Sequence, residues 1–341
     1  MNKNKNKSLI CFSFFLYTVC AAFMIYGTIY DTQINMALFN PQSSFAVTLE
    51  AFGQSVLWLM WGPLFSVLFL TRHSLNGYLE IFSRFLPFIK PLKNTETKAY
   101  KAFDTIIRII TGVLFFVLCV IGWKKPVQNI LKHMLDLNDI IYFAISAALA
   151  VISIFLFSRL KKESLNKLEY LCASALLLGI LLKFAEELKP LTHRVRFREM
   201  VAYSNGILDE NGMSHGTFTK LSPVLEKDMK NIADLSAFTR WYKIGDDMGI
   251  YAKADSFPSG HVMNSCGVFL TNFLLRANEK LKKLSPLALV FSLCYVSVMA
   301  LSRIIAGAHY LTDVTFGIIL GYSAFLCAYA FLGFIKNKTK I

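Results

Sequence analysis

Residues 139–158 read DIIYFAISAALAVISIFLFS, with one charged side chain, Asp139, at the first position. An apolar run of this length matches the roughly 20 residues a helix needs to cross a hydrocarbon core, and it is too long for a strand. The same signal repeats on both sides of it. Apolar segments at about 9–29, 48–71, 105–123, 169–188, 259–276, 286–303 and 314–335 bring the expected total to about eight spans. The chain is 55% hydrophobic and only 17% charged, against roughly a quarter charged in soluble domains. The expected fold class is therefore all-α, a polytopic transmembrane helix bundle. The first segment follows Lys3, Lys5 and Lys7 and is longer than the apolar core of a signal peptide, so it reads as an uncleaved anchor.

The formal charge of +14 does not point to a nucleic-acid partner, because the basic residues sit in short clusters between apolar segments. Their placement reads as topology, since Lys and Arg in short loops are retained on the cytoplasmic side. The loop at 30–47 has neither residue, whereas 72–104 carries Arg72, Arg84, Lys90, Lys93, Lys98 and Lys101. The alternation continues through Arg159, Lys161, Lys162 and Lys167, then Arg276, Lys280, Lys282 and Lys283, then Lys336, Lys338 and Lys340. Only the loop at 124–138, with Lys124, Lys125 and Lys132, is discordant. The expectation is an integral protein of a bacterial plasma membrane with both termini inside. In domain terms it is one membrane domain, 1–341, with four N-terminal spans in 1–168 and a core in 169–335. The core includes an outer loop or cap at 189–258, between the fifth and sixth spans. Cys11, Cys20, Cys119, Cys172, Cys266, Cys294 and Cys327 all lie in apolar stretches without zinc-like spacing, and read as buried free thiols.

Three polar clusters interrupt this pattern. Lys189-Pro190-Leu191-Thr192-His193-Arg194-Val195-Arg196-Phe197-Arg198 is densely positive on the side where short flanking positives are disfavoured. It is either a basic loop touching lipid headgroups or an anion site, since guanidinium groups grip phosphate oxygens bidentately. Phe257-Pro258-Ser259-Gly260-His261 opens the sixth span. Pro and Ser suit a helix start, Gly260 permits close backbone approach, and His261 could donate a proton to a leaving oxygen. Ser302-Arg303 to His309-Tyr310-Leu311-Thr312-Asp313 lies between spans seven and eight. His309 and Asp313 are four apart, so in a helix they share a face and the carboxylate could orient the imidazole. The bland alternative is a structural His–Asp or Arg–Asp pair tying two helices together. The topology, built from other loops, puts all three clusters on one outer side. Converged, they supply a nucleophile, an orienting acid, a second histidine and several cations, which is a phosphoryl-transfer site that needs no metal.

These residues resemble the three-part signature of the type 2 phosphatidic acid phosphatase superfamily, K-x6-R-P, P-S-G-H and S-R-x5-H-x3-D. Lys189 and Arg196 keep the first spacing, Pro258–His261 match the second motif, and Ser302, Arg303, His309 and Asp313 match the third. Phe197 stands where the family has proline, which leaves open whether Arg194 or Arg198 shares the role of Arg196. The resemblance covers about 169–335, and the usual membrane members have six spans. It implies His309 as nucleophile, Asp313 as its orienting partner, and His261 as the acid that protonates the leaving alkoxide. Lys189, Arg196 and Arg303, with Ser259 and the Gly260 amide, would hold the phosphoryl oxygens. No cofactor or metal is implied.

The leading expectation is thus a phosphatase acting at the outer face on a lipid phosphomonoester or diphosphate, of the phosphatidate, phosphatidylglycerophosphate or isoprenyl diphosphate class. Its expected partners are that substrate and membrane lipids. A phosphotransferase using another acceptor fits the same residues. An anion carrier is the non-enzymatic competitor, although inverted repeats and mid-membrane charges are not apparent. Trp241, Tyr242, Asp246 and Asp247 could shape a headgroup pocket within 199–257, and His193 and His215 carry no assigned role.

Overall fold

A computed structural model describes residues 7–53, 55–83, 86, 88–92, 95–132, 137–205, 238, 240–243, 255–277 and 280–339. Most of the expected outer loop, with His215, Asp246 and Asp247, lies outside the described residues. All regular structure among the described residues is helical. The first half holds α1 (Lys7–Leu38), α2 (Ser44–Phe52), α3 (Ser55–Thr71), α4 (Leu75–Ser83), α5 (Lys98–Lys132) and α6 (Asp139–Ser158). Next come α7 (Lys162–Glu186) and two short helices, α8 (Lys189–Thr192) and α9 (Phe197–Ser204). The chain ends with α10 (Gly260–Ser265), α11 (Leu270–Ala277), α12 (Ser285–Ile305) and α13 (Leu311–Thr339).

Seven helical stretches among the described residues are long and apolar enough to cross a membrane: Lys7–Leu38, Ser44–Thr71, Lys98–Gln128, Asp139–Ser158, Lys162–Ala202, Lys282–Ile305 and Leu311–Phe334. The remaining expected span, 259–276, differs. It is built from α10, a 3-10 turn at Cys266–Phe269 and α11, so no single straight helix crosses there. The tighter turn carries Gly267 against Leu57, where an added Cβ would lie 2.8 Å from the Leu57 side chain.

The described chain forms two compact units. One comprises residues up to Leu57 together with Leu178–Cys327. Within it, α12 packs against α1, α2, α10 and α11. Lipid tails are as apolar as the helices, so association rests on close packing and hydrogen bonds. Tyr322 and Phe325 meet Phe269 at ring-centroid distances of 5.2 and 5.4 Å. Tyr322 also exchanges a 2.8 Å hydrogen bond with Ser13, and Tyr17 makes one of 2.8 Å with Ser323. The inward stripe of α1 is Leu9, Leu16, Cys20, Gly27, Asp31 and Asn35, at helical spacing throughout. Its apolar half matches a spanning helix, and its polar end is the anomaly that the site explains.

The second unit comprises Trp58–Leu177 and the chain from Ala328 onward. There α5 and α6 pack together around Phe65, Cys119, Val120 and Ala150. Helix α6 begins at Asn138, whose side chain accepts the Ile140 N–H at 3.1 Å, and buries Tyr142, Ser146, Ala150 and Ser153 along one stripe. Helices α3 and α5 approach at Gly62 and Gly122, where a Cβ on Gly122 would stand 2.9 Å from the Gly62 nitrogen.

Candidate active site

The site lies wholly in the first unit and starts from the turn between α12 and α13. Helix α12 ends at Ile305, and Gly307 adopts a φ of 62°, the left-handed conformation that glycine tolerates. The chain reverses there and presents His309 just before α13 begins at Leu311. His309 is only 2% exposed. Its Nδ1 lies 2.6 Å from the Ser256 carbonyl oxygen. A carbonyl can only accept, so Nδ1 carries the proton and Nε2 keeps its lone pair. Burial first, then the charges of Arg303, Arg196 and Lys189, hold the imidazole well below the usual histidine range, against the opposing pull of the Ser256 bond. His309 is therefore a neutral imidazole whose Nε2 keeps its lone pair.

Asp313 reaches it differently from the expectation of a shared helical face. His309 precedes the helix that Asp313 opens, and its Nδ1 stands 3.8 Å from Asp313 Oδ2. Asp313 instead accepts the Ser256 hydroxyl at 2.5 Å and the Tyr310 N–H at 2.9 Å. It thus fixes the residue that fixes the imidazole, along with the backbone beside it. Its other oxygen is bonded by Arg194, whose Nη2 donates to Asp31 Oδ2 at 2.8 Å.

The basic cluster divides among carboxylates. Arg194 is clamped between Asp31 and Asp313, with its guanidinium 4.2 Å above the Tyr310 ring. Arg196 meets Asp255 at 2.7 Å. Arg198 lies 3.7 Å from Glu50, which also contacts Arg303 Nη1 at 3.0 Å. Arg194 and Arg198 are thereby engaged in framing the site, and the Arg198 N–H also bonds the Gly307 carbonyl at 2.9 Å. Phe197, in the proline position of the motif, is fully buried, with its ring 5.4 Å from Phe39 and 6.4 Å from Tyr310.

Ser259 caps α10 without using its side chain, and its N–H bonds the Asp313 carbonyl at 3.1 Å. A Cβ at Gly260 would stand 3.3 Å from Lys189 Nζ, so the ammonium runs directly over this glycine. His261 is in electrostatic range of Arg303, Glu50, His309 and Lys189. All the sequence-derived site residues, His309, His261, Asp313, Lys189, Arg196, Ser259, Gly260 and Arg303, thus belong to this one neighbourhood. Three donors in it, Arg196 Nε, Arg303 Nε and Ser259 Oγ, are buried with no hydrogen-bond partner among the described residues. Among the described residues no three His, Cys, Asp or Glu side chains group closely enough to hold a metal ion.

The motifs do not include Asp31, Asn35, Glu50, Asp255 or Ser256. Asp31 and Glu50 had a readable signal, as solitary acids at or inside spanning segments, which are costly there unless paired. Asn35 and Ser256 had none.

A family model agrees with the motif pattern. The PAP2 superfamily model matches residues 215–336, and this is the superfamily that the motifs resemble. That stretch contains Pro258–His261 and Ser302–Asp313 and begins after Lys189 and Arg196. Members of this superfamily are phosphatases, so the match supports a phosphoester hydrolase. No solved structure matches the chain.

Proposed function

We propose that this chain is a membrane phosphatase that hydrolyses a lipid phosphomonoester or diphosphate at the outer membrane face through a phospho-histidine on His309. The observation that carries this reading is a set of buried donors beside a neutral His309 that find no hydrogen-bond partner among the described residues: Arg196 Nε, Arg303 Nε and Ser259 Oγ. Each such donor costs about 1–3 kcal/mol if left unmet. A phosphoryl group, with three oxygens and delocalised charge, offers acceptors to all of them at once.

In the proposed reaction the Nε2 lone pair forms an N–P bond as the P–O bond to the lipid breaks. His261, which takes up a proton when the negative phosphate offsets the charges of Arg303 and Lys189, gives that proton to the departing oxygen. Water then attacks phosphorus and passes a proton to His261. The N–P bond breaks and inorganic phosphate leaves. Lys189, Arg196 and Arg303 would neutralise the equatorial oxygens throughout, which removes the need for a metal. The distribution of Lys and Arg favours termini inside and this pocket outside, where lipid phosphates lie.

The test is purified protein with phosphatidate, phosphatidylglycerophosphate and an isoprenyl diphosphate. Free phosphate should be released in the presence of a chelator, vanadate should inhibit, and His309→Ala should lower turnover at least about thousand-fold while the protein still folds. Turnover surviving in His309→Ala would defeat the phospho-histidine. Phosphate appearing only on an added alcohol would make the enzyme a transferase.

A further inference from the structure

We infer that Asp31 and Asn35, on the N-terminal helix α1 and outside every motif, are positioning residues that hold the His309 turn in its reactive orientation. The inference rests on the reading of His309 as nucleophile. Three hydrogen bonds tie the end of α1 to that turn, and a fourth ties it to Arg194. Asn35 Nδ2 donates to the His309 carbonyl at 3.1 Å. The Thr312 N–H donates to Asp31 Oδ1 at 3.1 Å, and the Thr312 hydroxyl donates to Asp31 Oδ2. Arg194 Nη2 reaches the same oxygen at 2.8 Å.

These bonds continue to the imidazole. Arg194 donates through Nη1 to Asp313 and to the Thr312 hydroxyl, the latter at 2.7 Å. Asp313 accepts from the Ser256 hydroxyl, and the Ser256 carbonyl takes the Nδ1 proton of His309. Asp31 and Asn35 are 3% and 0% exposed, so both Asp31 oxygens and the Asn35 Nδ2 are committed to this network away from solvent. A helix that only spanned the bilayer would gain nothing from burying these groups, since a carboxylate within a span is costly unless paired.

The charge count makes Asp31 more than a tether. Arg194 is shared between two carboxylates, Asp31 and Asp313. Without the charge of Asp31, the guanidinium is balanced by Asp313 alone. Asp313 is then drawn away from Ser256 and Tyr310, which are the contacts that set the His309 tautomer and backbone. Displacement of a reacting group by about 1 Å costs on the order of 100-fold in rate.

The experiment uses the full chain in detergent with a radiolabelled lipid phosphate that the parent hydrolyses, and compares Asp31→Asn and Asn35→Leu with the parent. Steady-state turnover should fall about 100-fold in Asp31→Asn and about tenfold in Asn35→Leu, with KM within about twofold. Rapid-quench measurement of labelled phosphoenzyme separates positioning from folding. The amplitude counts folded enzyme and the rate reads His309, so the inference expects the rate to fall. A lowered amplitude with the parental rate in both variants, or parental turnover in both, overturns it. A parent that neither turns over any lipid phosphate nor binds vanadate removes the phosphatase reading itself, and the inference falls with it.

Discussion

Helices α1 and α6 both turn polar side chains inward, yet the two sets behave differently. On α6, Ser153 meets Ser66 at 2.6 Å, Ser66 donates to the Gly62 carbonyl at 2.9 Å, and Trp123 Nε1 donates to Ser153 at 3.3 Å. Cys119 joins them, 3.1 Å from Ser66. This cluster is neutral, and its hydroxyls find their partners within it. Around α1 the groups are charged, and the surrounding shell of carboxylates leaves Arg196 Nε and Arg303 Nε without a hydrogen-bond partner among the described residues. A buried polar cluster that satisfies itself serves packing, whereas one that keeps aligned donors open is organised for something that arrives from outside.

The largest effect that could break this contrast comes from Arg303. Lysine retains the charge beside Glu50 but lacks the planar fork and the Nε donor. Arg303→Lys should therefore lower kcat/KM on the order of 100-fold, by loss of phosphoryl contacts, while the melting temperature stays within a few degrees of the parent. Unchanged kcat/KM on a lipid-phosphate substrate would mean that the open donors are not phosphate donors.

A smaller effect sharpens the same point through pH. Burial and the nearby cations keep His309 neutral in the folded chain until well below pH 6.5, whereas an unfolded histidine takes up its proton near that value. Stability linked to His309 is thus fully present above pH 6.5 and declines as the pH falls below it, at up to about 1.4 kcal/mol per pH unit. In detergent melts, the parent should lose more stability between about pH 6.5 and 5.5 than His309→Gln does, by about 1 kcal/mol. Parallel melting curves would show that His309 titrates normally and that the surrounding cations do not act on it.

These particulars also show what a sequence can disclose. Helix α6 is legible because nothing in DIIYFAISAALAVISIFLFS competes with a membrane helix. The end of α1 is not, because hydropathy drops at Asp31, Thr32, Gln33 and Asn35 and suggests a loop after residue 29. The helix nonetheless runs to Leu38, and the partners of Asn35 and Asp31, His309 and Thr312, lie 274 and 281 positions away along the chain. No local rule reads such a distance. The motif residues are legible because phosphoryl chemistry restricts both residue type and spacing. Of their frame, Asp31 and Glu50 show in the sequence only as solitary acids at or inside spans, and the place of Ser256 is set by three-dimensional neighbours alone. The break at Cys266–Phe269 is hidden for a related reason, since the residue packed against its Gly267 is Leu57, far away along the chain.

The smallest effect tests the other half of the comparison. If the cluster around Ser66 satisfies itself, removing one hydroxyl should leave the remaining groups paired. In Ser66→Ala the Ser153 hydroxyl still donates to the Ala150 carbonyl at 2.9 Å and accepts from Trp123. The Gly62 carbonyl still has the Cys119 thiol at 3.3 Å. The expected cost is about 0.6 kcal/mol, the usual value for a hydrogen bond between membrane helices, with turnover per folded molecule unchanged. Melting and lipid-phosphate turnover on the same purified sample measure both. A loss of several kcal/mol would show that Ser66 holds a partner alone, and a loss of turnover at normal stability would extend the functional network into the neutral cluster.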